Sequence, residues 1–258
     1  MKISYELSDN IALIRLNHPE KLNALTGAMV AELGEWFASL KREPTVRVVI
    51  LTGMGQKAFS AGVDIAEFAS VDAEGVSEVT KRVREDVCSL IESCGVPVIA
   101  AVNGLAAGIG FELALACHIR LASTNARFSL PEVEPGVVPE CDWSQRLARA
   151  LGTGRAFEMM QTDKKVSADE ALRLGLVNRV VAHEQLLAEA ESLAREISQL
   201  APLALRACLE AVTRGTDLPL AEGLDLESEL FSQLFTTEDM REGTSAFLEK
   251  RAPEFKGK

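Results

Sequence analysis

The chain has 258 residues, of which 47% are hydrophobic and 25% charged, the make-up of an ordinary globular protein with room for one large core. Its net charge of −11 argues against nucleic acid as a main partner, because a phosphate backbone needs a positive surface. No run approaches the roughly 18 apolar residues of a membrane span, and "MKISYELSDNIALIRL" lacks the long apolar stretch of a secretory signal.

The opening residues alternate like a strand, and "IALIRL" (11–16) is a strand in its own right. "HPEKLNAL" reads as a loop, followed by an amphipathic helix to about Leu40. "VRVVILTG" (46–53) is a near-continuous apolar run, suited to a sheet covered on both faces. A glycine-containing loop with "FSAGVDIAEF" (59–68) comes next, then a helix over roughly 72–93. "VPVIAAVNG" (96–104) is another buried strand, and the chain turns helical from Gly108. "IRLAS" and "ARFSL" are short strands, and beyond Trp143 helices dominate, with "LVNRVV" (176–181) as one more strand. Strand–helix alternation followed by helices alone predicts an α/β core over 1–199 and a C-terminal helical region over 200–258.

Chemistry concentrates in "GIGFELALACHIRLASTNARFSLPEVEPGVVPE", where Glu112, Glu132 and Glu140 stand in an apolar, glycine-punctuated run. A buried carboxylate is costly unless paired or used. "GIGFEL" is a weak dinucleotide fingerprint, since Leu113 holds its third glycine position. "GMGQK" lacks P-loop spacing, and no G-x-S-x-G occurs. The histidines are His18, His118 and His183, and His118 reads as structural; no spacing resembles a metal site. Cys88, Cys94, Cys117, Cys141 and Cys208 form no CxxC pair and mostly sit in apolar company, so reduced thiols in a cytoplasmic protein are expected. Glycine turns beside acids remain. A glycine turn opening a helix aims N–H groups at a developing oxyanion, and "SAGVD" offers a second donor loop. Carboxylates beside such a hole suit proton transfer α to a carbonyl.

At these residues the sequence resembles the crotonase (enoyl-CoA hydratase/isomerase) superfamily. The likeness runs through "HPEKLNAL", "VRVVILTGMGQKAFSAGVDIAEF", "VPVIAAVNGLAAGIGFELALACHIRLAS", "ARFSLPEVEPGVVP", "QRL", "SADEALRLGLVNRVV" and "EGTSAFLEKRAPEF". It implies a crotonase-like spiral of ββα units with a C-terminal helical region, assembled as a homotrimer or homohexamer. It also implies a coenzyme A thioester as substrate, an enolate intermediate, and no metal or other cofactor. By position, the oxyanion-hole amides would be those of Val63 and Ile109, and the hydratase acid and base Glu112 and Glu132. Lys21, Leu22, Ala24, Ala61, Gly62, Asp64, Ile65, Gly108 and Gly110 would line the substrate channel, while Phe247 and Lys250 would reach a neighbouring subunit's CoA.

Three departures from the family pattern stand out. Ile109 lies where a glycine is usual, placing a β-branched side chain beside the thioester, and "ACH" replaces "ACD". "PECDWSQRL" replaces a small, glycine-rich stretch, so Glu140 becomes a possible third acid and Trp143 a possible wall of the acyl pocket. The resemblance implies an enoyl-CoA hydratase. An enoyl- or dienoyl-CoA isomerase and a non-catalytic CoA-binding homologue are the alternatives.

Overall fold

The computed structural model describes residues 2–64, 81, 83–131, 143–162 and 164–258. The alternating N-terminal stretch is a hairpin: β1 (Ile3–Ser8) pairs antiparallel with β2 (Ile11–Leu16), Ile3 opposite Leu16. Asp9 and Asn10 make the turn, both in the left-handed region that short polar side chains tolerate. Helix α1 (Gly27–Leu40) begins at Thr26, whose hydroxyl accepts from the Met29 N–H. It buries Met29, Val30, Leu33 and Phe37 at helical spacing.

The middle of the chain repeats one motif. β3 (Val48–Gly53), β5 (Val98–Val102) and β7 (Ile119–Ser123) lie parallel in one sheet. Each is followed within a few residues by a short strand of a second sheet: β4 (Ala58–Ser60), β6 (Leu105–Ala107) and β8 (Arg127–Ser129). Helix α2 (Ser89–Ser93), entered through a π-helical turn over Val83–Cys88, leads into β5. Helix α3 (Ile109–Ala116) follows β6. These are the ββα turns of the expected spiral. Helices α4 (Trp143–Leu151) and α5 (Thr153–Thr162) come next, then β9 (Val166–Ser167), α6 (Ala168–Leu174) and β10 (Arg179–Val181). The larger sheet has the order β1-β2-β3-β5-β7-β10 and the smaller β4-β6-β8-β9.

The larger sheet is covered on both faces, which explains its unbroken apolar strands. Along β3, Val49 and Leu51 enter the main core, while Val48 and Ile50 face α7 (Leu186–Ser198). That helix presents Leu186, Ala190 and Ala194, spaced by four, to the sheet. Helices α8 (Pro202–Gly215), α9 (Leu220–Leu234) and α10 (Glu238–Glu249) complete the chain. Neither α8 nor α9 contains a fully buried residue.

Some elements differ from the sequence expectation. The strand expected over 176–181 is confined to Arg179–Val181, and β4, β6 and β9 were not foreseen. Most of the helix expected over 72–93 lies outside the described residues; its described end is the π-helical turn and α2. No helix among the described residues is long and apolar enough to cross a membrane.

Candidate active site

Two loops from different turns of the spiral meet at the site. The first carries Ala61, Gly62, Val63 and Asp64. It is laced to the segment before α1: the Ala61 N–H donates to Leu22 O (3.0 Å), Leu25 N–H to Gly62 O (2.7 Å) and Asp64 N–H to Leu25 O (2.9 Å). These bonds use the neighbours of Val63, and extended backbone turns its own N–H to the opposite side. The second loop is Gly108, at φ 51° and ψ −138°, which opens α3 and leaves the Ile109 N–H at the helix start. Among the described residues, neither the Val63 nor the Ile109 N–H has a hydrogen-bond partner.

Close approach of the loops depends on missing side chains. A Cβ on Gly62, whose φ is +96°, would meet Ala107 O at 3.0 Å and lie 3.6 Å from Ile109 N. At Gly110 it would stand 2.4 Å from Ser60 O, an overlap no side chain can take. Ser60 in turn donates from Oγ to Asn23 O (2.9 Å) and accepts the Gly62 N–H (3.2 Å). The Ile109 side chain packs into the main core and is only 6% exposed.

Helix α3 has no solvent face: all eight of its residues are buried. Its last carbonyls are satisfied by Arg120, whose guanidinium donates to Leu115 O (3.2 Å) and Cys117 O (2.6 Å). Glu112 stands one turn beyond Ile109, on the same side of the helix, with a side chain 0% exposed. Its Oε1 accepts from Arg146 Nη1 at 3.0 Å. Arg146 also grips Glu92 through two bonds, Nε to Oε1 and Nη2 to Oε2, both 2.8 Å. Burial works against the Arg146 charge. The bonds and charge of Glu92, aided by Cys88 and Glu112, outweigh that and hold its proton more tightly than usual.

The channel residues expected from the resemblance gather beside the first loop. Lys21 Nζ lies 2.5 Å from Asp64 Oδ2, half-exposed lysine against buried aspartate. Leu22 and Asn23 both adopt positive φ, Leu22 is exposed and Ala24 is buried. Phe247 is exposed on α10, and Lys250 ends that helix in the left-handed conformation. Glu132, Glu140 and Ile65 lie outside the described residues; Trp143 begins α4. His118 is structural, as expected. Its Nδ1 accepts the Val98 N–H (3.0 Å), which leaves the proton on Nε2, directed at Glu92 O (3.4 Å).

Arg146, Glu92 and Asn103 escaped the sequence reading as site-forming residues. The signals for Arg146 were its place in the "QRL" motif and in "SQRLARAL", a half-apolar helix following the glycine-poor loop. The asparagines hold loop carbonyls; Asn23 Nδ2, for example, donates to Met54 O (3.0 Å) and Ala58 O (2.8 Å).

Comparison with known proteins agrees with this geometry. The family model described as "Enoyl-CoA hydratase/isomerase" matches residues 6–258. A short-chain-enoyl-CoA hydratase of Clostridium acetobutylicum is 40% identical, covering 95% of this chain and 94% of that protein. An (E)-benzylidenesuccinyl-CoA hydratase of Thauera aromatica is 38% identical, covering 100% of both. The crystal structure of enoyl-CoA hydratase from Bacillus anthracis superposes with a TM-score of 0.97 at 37% identity, over 100% of each chain. The site is therefore framed by the crotonase fold, and the chain belongs to the enoyl-CoA hydratase/isomerase family.

Proposed function

We propose that this protein is an enoyl-CoA hydratase, adding water syn across the double bond of a 2-enoyl-CoA thioester. One observation carries the reading: among the described residues the Val63 and Ile109 N–H groups are open, the Gly62 loop approaches Ile109, and one helical turn further on stands a wholly buried, arginine-held Glu112. The thioester oxygen accepts from both amides, which stabilise the negative charge that develops as the enolate forms. Glu112 and Glu132 hold a water whose oxygen bonds to Cβ. One proton of that water ends on Cα, delivered by Glu132, and the remaining O–H stays on Cβ. Coenzyme A enters as part of the substrate, and no further cofactor takes part.

The segments 21–24 and 61–65, with Gly108 and Gly110, line the route of the thioester in this reading. We further propose assembly as a homotrimer or homohexamer through the C-terminal helical region, 200–258. In support, Val212, Leu220, Phe231, Phe247 and Leu248 are more than half exposed along α8–α10, an apolar surface suited to a partner. Phe247 and Lys250 would then face a neighbour's substrate. A cytoplasmic location is supported by Cys94 and Cys117, which are buried free thiols.

The test is a panel of short, long, branched and aryl-bearing enoyl- and dienoyl-CoA thioesters, with loss of the enoyl absorbance and product structure as readouts. Hydroxyacyl-CoA formation from at least one enoyl thioester is expected. Double-bond migration without hydration would make the protein an isomerase, and CoA binding with no turnover of any substrate would make it a non-catalytic homologue.

A further inference from the structure

Glu112 is held from behind by a chain of charges whose exposure rises outward. Side-chain exposure is 0% at Glu112, 15% at Arg146 and 37% at Glu92. The three groups come from three helices, α3, α4 and α2, so no local sequence rule joins them. A guanidinium holding two carboxylates this way fixes its own plane first. The Glu92 carboxylate takes Nε and Nη2 as a fork, and Nη1 reaches Glu112. Glu92 is itself fastened, because His118 Nε2 meets its carbonyl while His118 Nδ1 receives the Val98 N–H of β5.

We infer that Arg146, locked in plane by Glu92, is the positioning residue that sets the direction and charge of the Glu112 carboxylate toward the substrate. A purely structural need inside α3 would be met by an apolar residue at 112, since burying an ion pair gives little net stability. Among the described residues, charged groups reach Glu112 and its arginine from two packed helices, and in the hydratase reading Glu132 faces Glu112 across the bound water. Arg146 comes from α4 and Glu92 from α2, and the buried Cys88 thiol of the π-helical turn lies within electrostatic reach of Arg146. Strands β4 and β6 bring no titratable group. Guanidinium charge at hydrogen-bond distance favours the ionised carboxylate, the form that can take a proton from water.

The inference rests on the hydratase reading, and its experiment separates the two. In the full-length protein, Arg146→Gln should lower kcat by about 10–100-fold while KM for an enoyl-CoA stays within about twofold. The acid limb of the kcat–pH profile should move up by about one unit or more, because Glu112 loses its neighbouring cation. Arg146→Lys keeps the charge without the fork. It should therefore leave the limb in place and still lose several-fold in kcat, and it serves as the working variant if the Gln protein does not fold. A wild-type kcat in either folded variant, or a loss with an unmoved limb in Arg146→Gln, would overturn the inference. If Glu112→Gln hydrates normally, the hydratase assignment fails; if Glu112→Gln is inactive and Arg146→Gln is normal, only the positioning role fails.

Discussion

Asn103 and Gly53 bind each other reciprocally: Asn103 Nδ2 donates to Gly53 O at 2.9 Å, and the Gly53 N–H donates to Asn103 Oδ1 at 3.1 Å. The same amide also reaches Gly55 O at 2.8 Å. One buried side chain thus ties the ends of two neighbouring strands, β3 and β5, where the chain crosses from the larger sheet to the smaller. Asn103→Ala would strand several buried backbone groups at once, at a cost of about 2–4 kcal/mol. Urea unfolding of the variant against the wild type measures this, and a midpoint within error of wild type would show that the bonds add nothing net.

Glu112→Gln and Glu132→Gln should each keep CoA affinity and lower hydratase kcat by about 10²-fold or more, the scale of general acid–base catalysis. Glu112→Gln should spare any isomerisation the protein performs, since moving a double bond needs no positioned water. Steady-state kinetics on an enoyl-CoA and its 3-enoyl isomer, with CoA binding by calorimetry, give both answers.

Gly110→Val forces a side chain into the space of Ser60, whose carbonyl oxygen would lie 2.4 Å from the new Cβ. The displaced turn should carry the Ile109 N–H off its line, raising the barrier by about 3–4 kcal/mol if the donor is lost entirely. Circular dichroism separates this from unfolding. A folded variant with normal turnover would place the oxyanion hole elsewhere.

Burial holds the His118 pKa below its ordinary value of 6.5, despite the opposing Glu92 carbonyl and charge. The folded state therefore prefers the neutral ring, and the unfolded state takes up the proton first. Stability is complete above the ordinary histidine range and falls as pH drops from about 6.5 toward the lower folded value. The loss of melting temperature between pH 7.5 and pH 5.5 should shrink in His118→Asn. An equal loss in both proteins would assign the acid sensitivity to other groups.

Glu140→Gln tests the third acid. Loss of a dienoyl-CoA isomerase activity with hydration retained would give Glu140 a proton-transfer role, and unchanged kinetics on every active substrate would remove it. Trp143→Gly should widen the preference toward longer acyl chains if the indole shortens the pocket. An unaltered chain-length profile would sink that idea.

The doubly covered strands were legible because both faces of β3 and β5 are apolar, giving runs such as "VVIL". Strands of two or three residues were not, since β4, β6 and β9 are too short to show a period. Glu112 could be seen as an anomaly, a charge in an apolar run, but its partner Arg146 is 34 residues away on another helix. Nothing local links them.

A helix without a solvent face has a consequence for how such a protein diverges. Along Ile109–Ala116 every substitution is an interior one, so a mutational scan should show an unbroken trench of intolerance instead of the striped tolerance of an amphipathic helix. Drift in this stretch is restricted to swaps that conserve volume, which keep the Ile109 amide and Glu112 in register. New substrate preferences must then be acquired through the segments that approach α3 from outside, leaving the machinery on the helix itself an inherited constant.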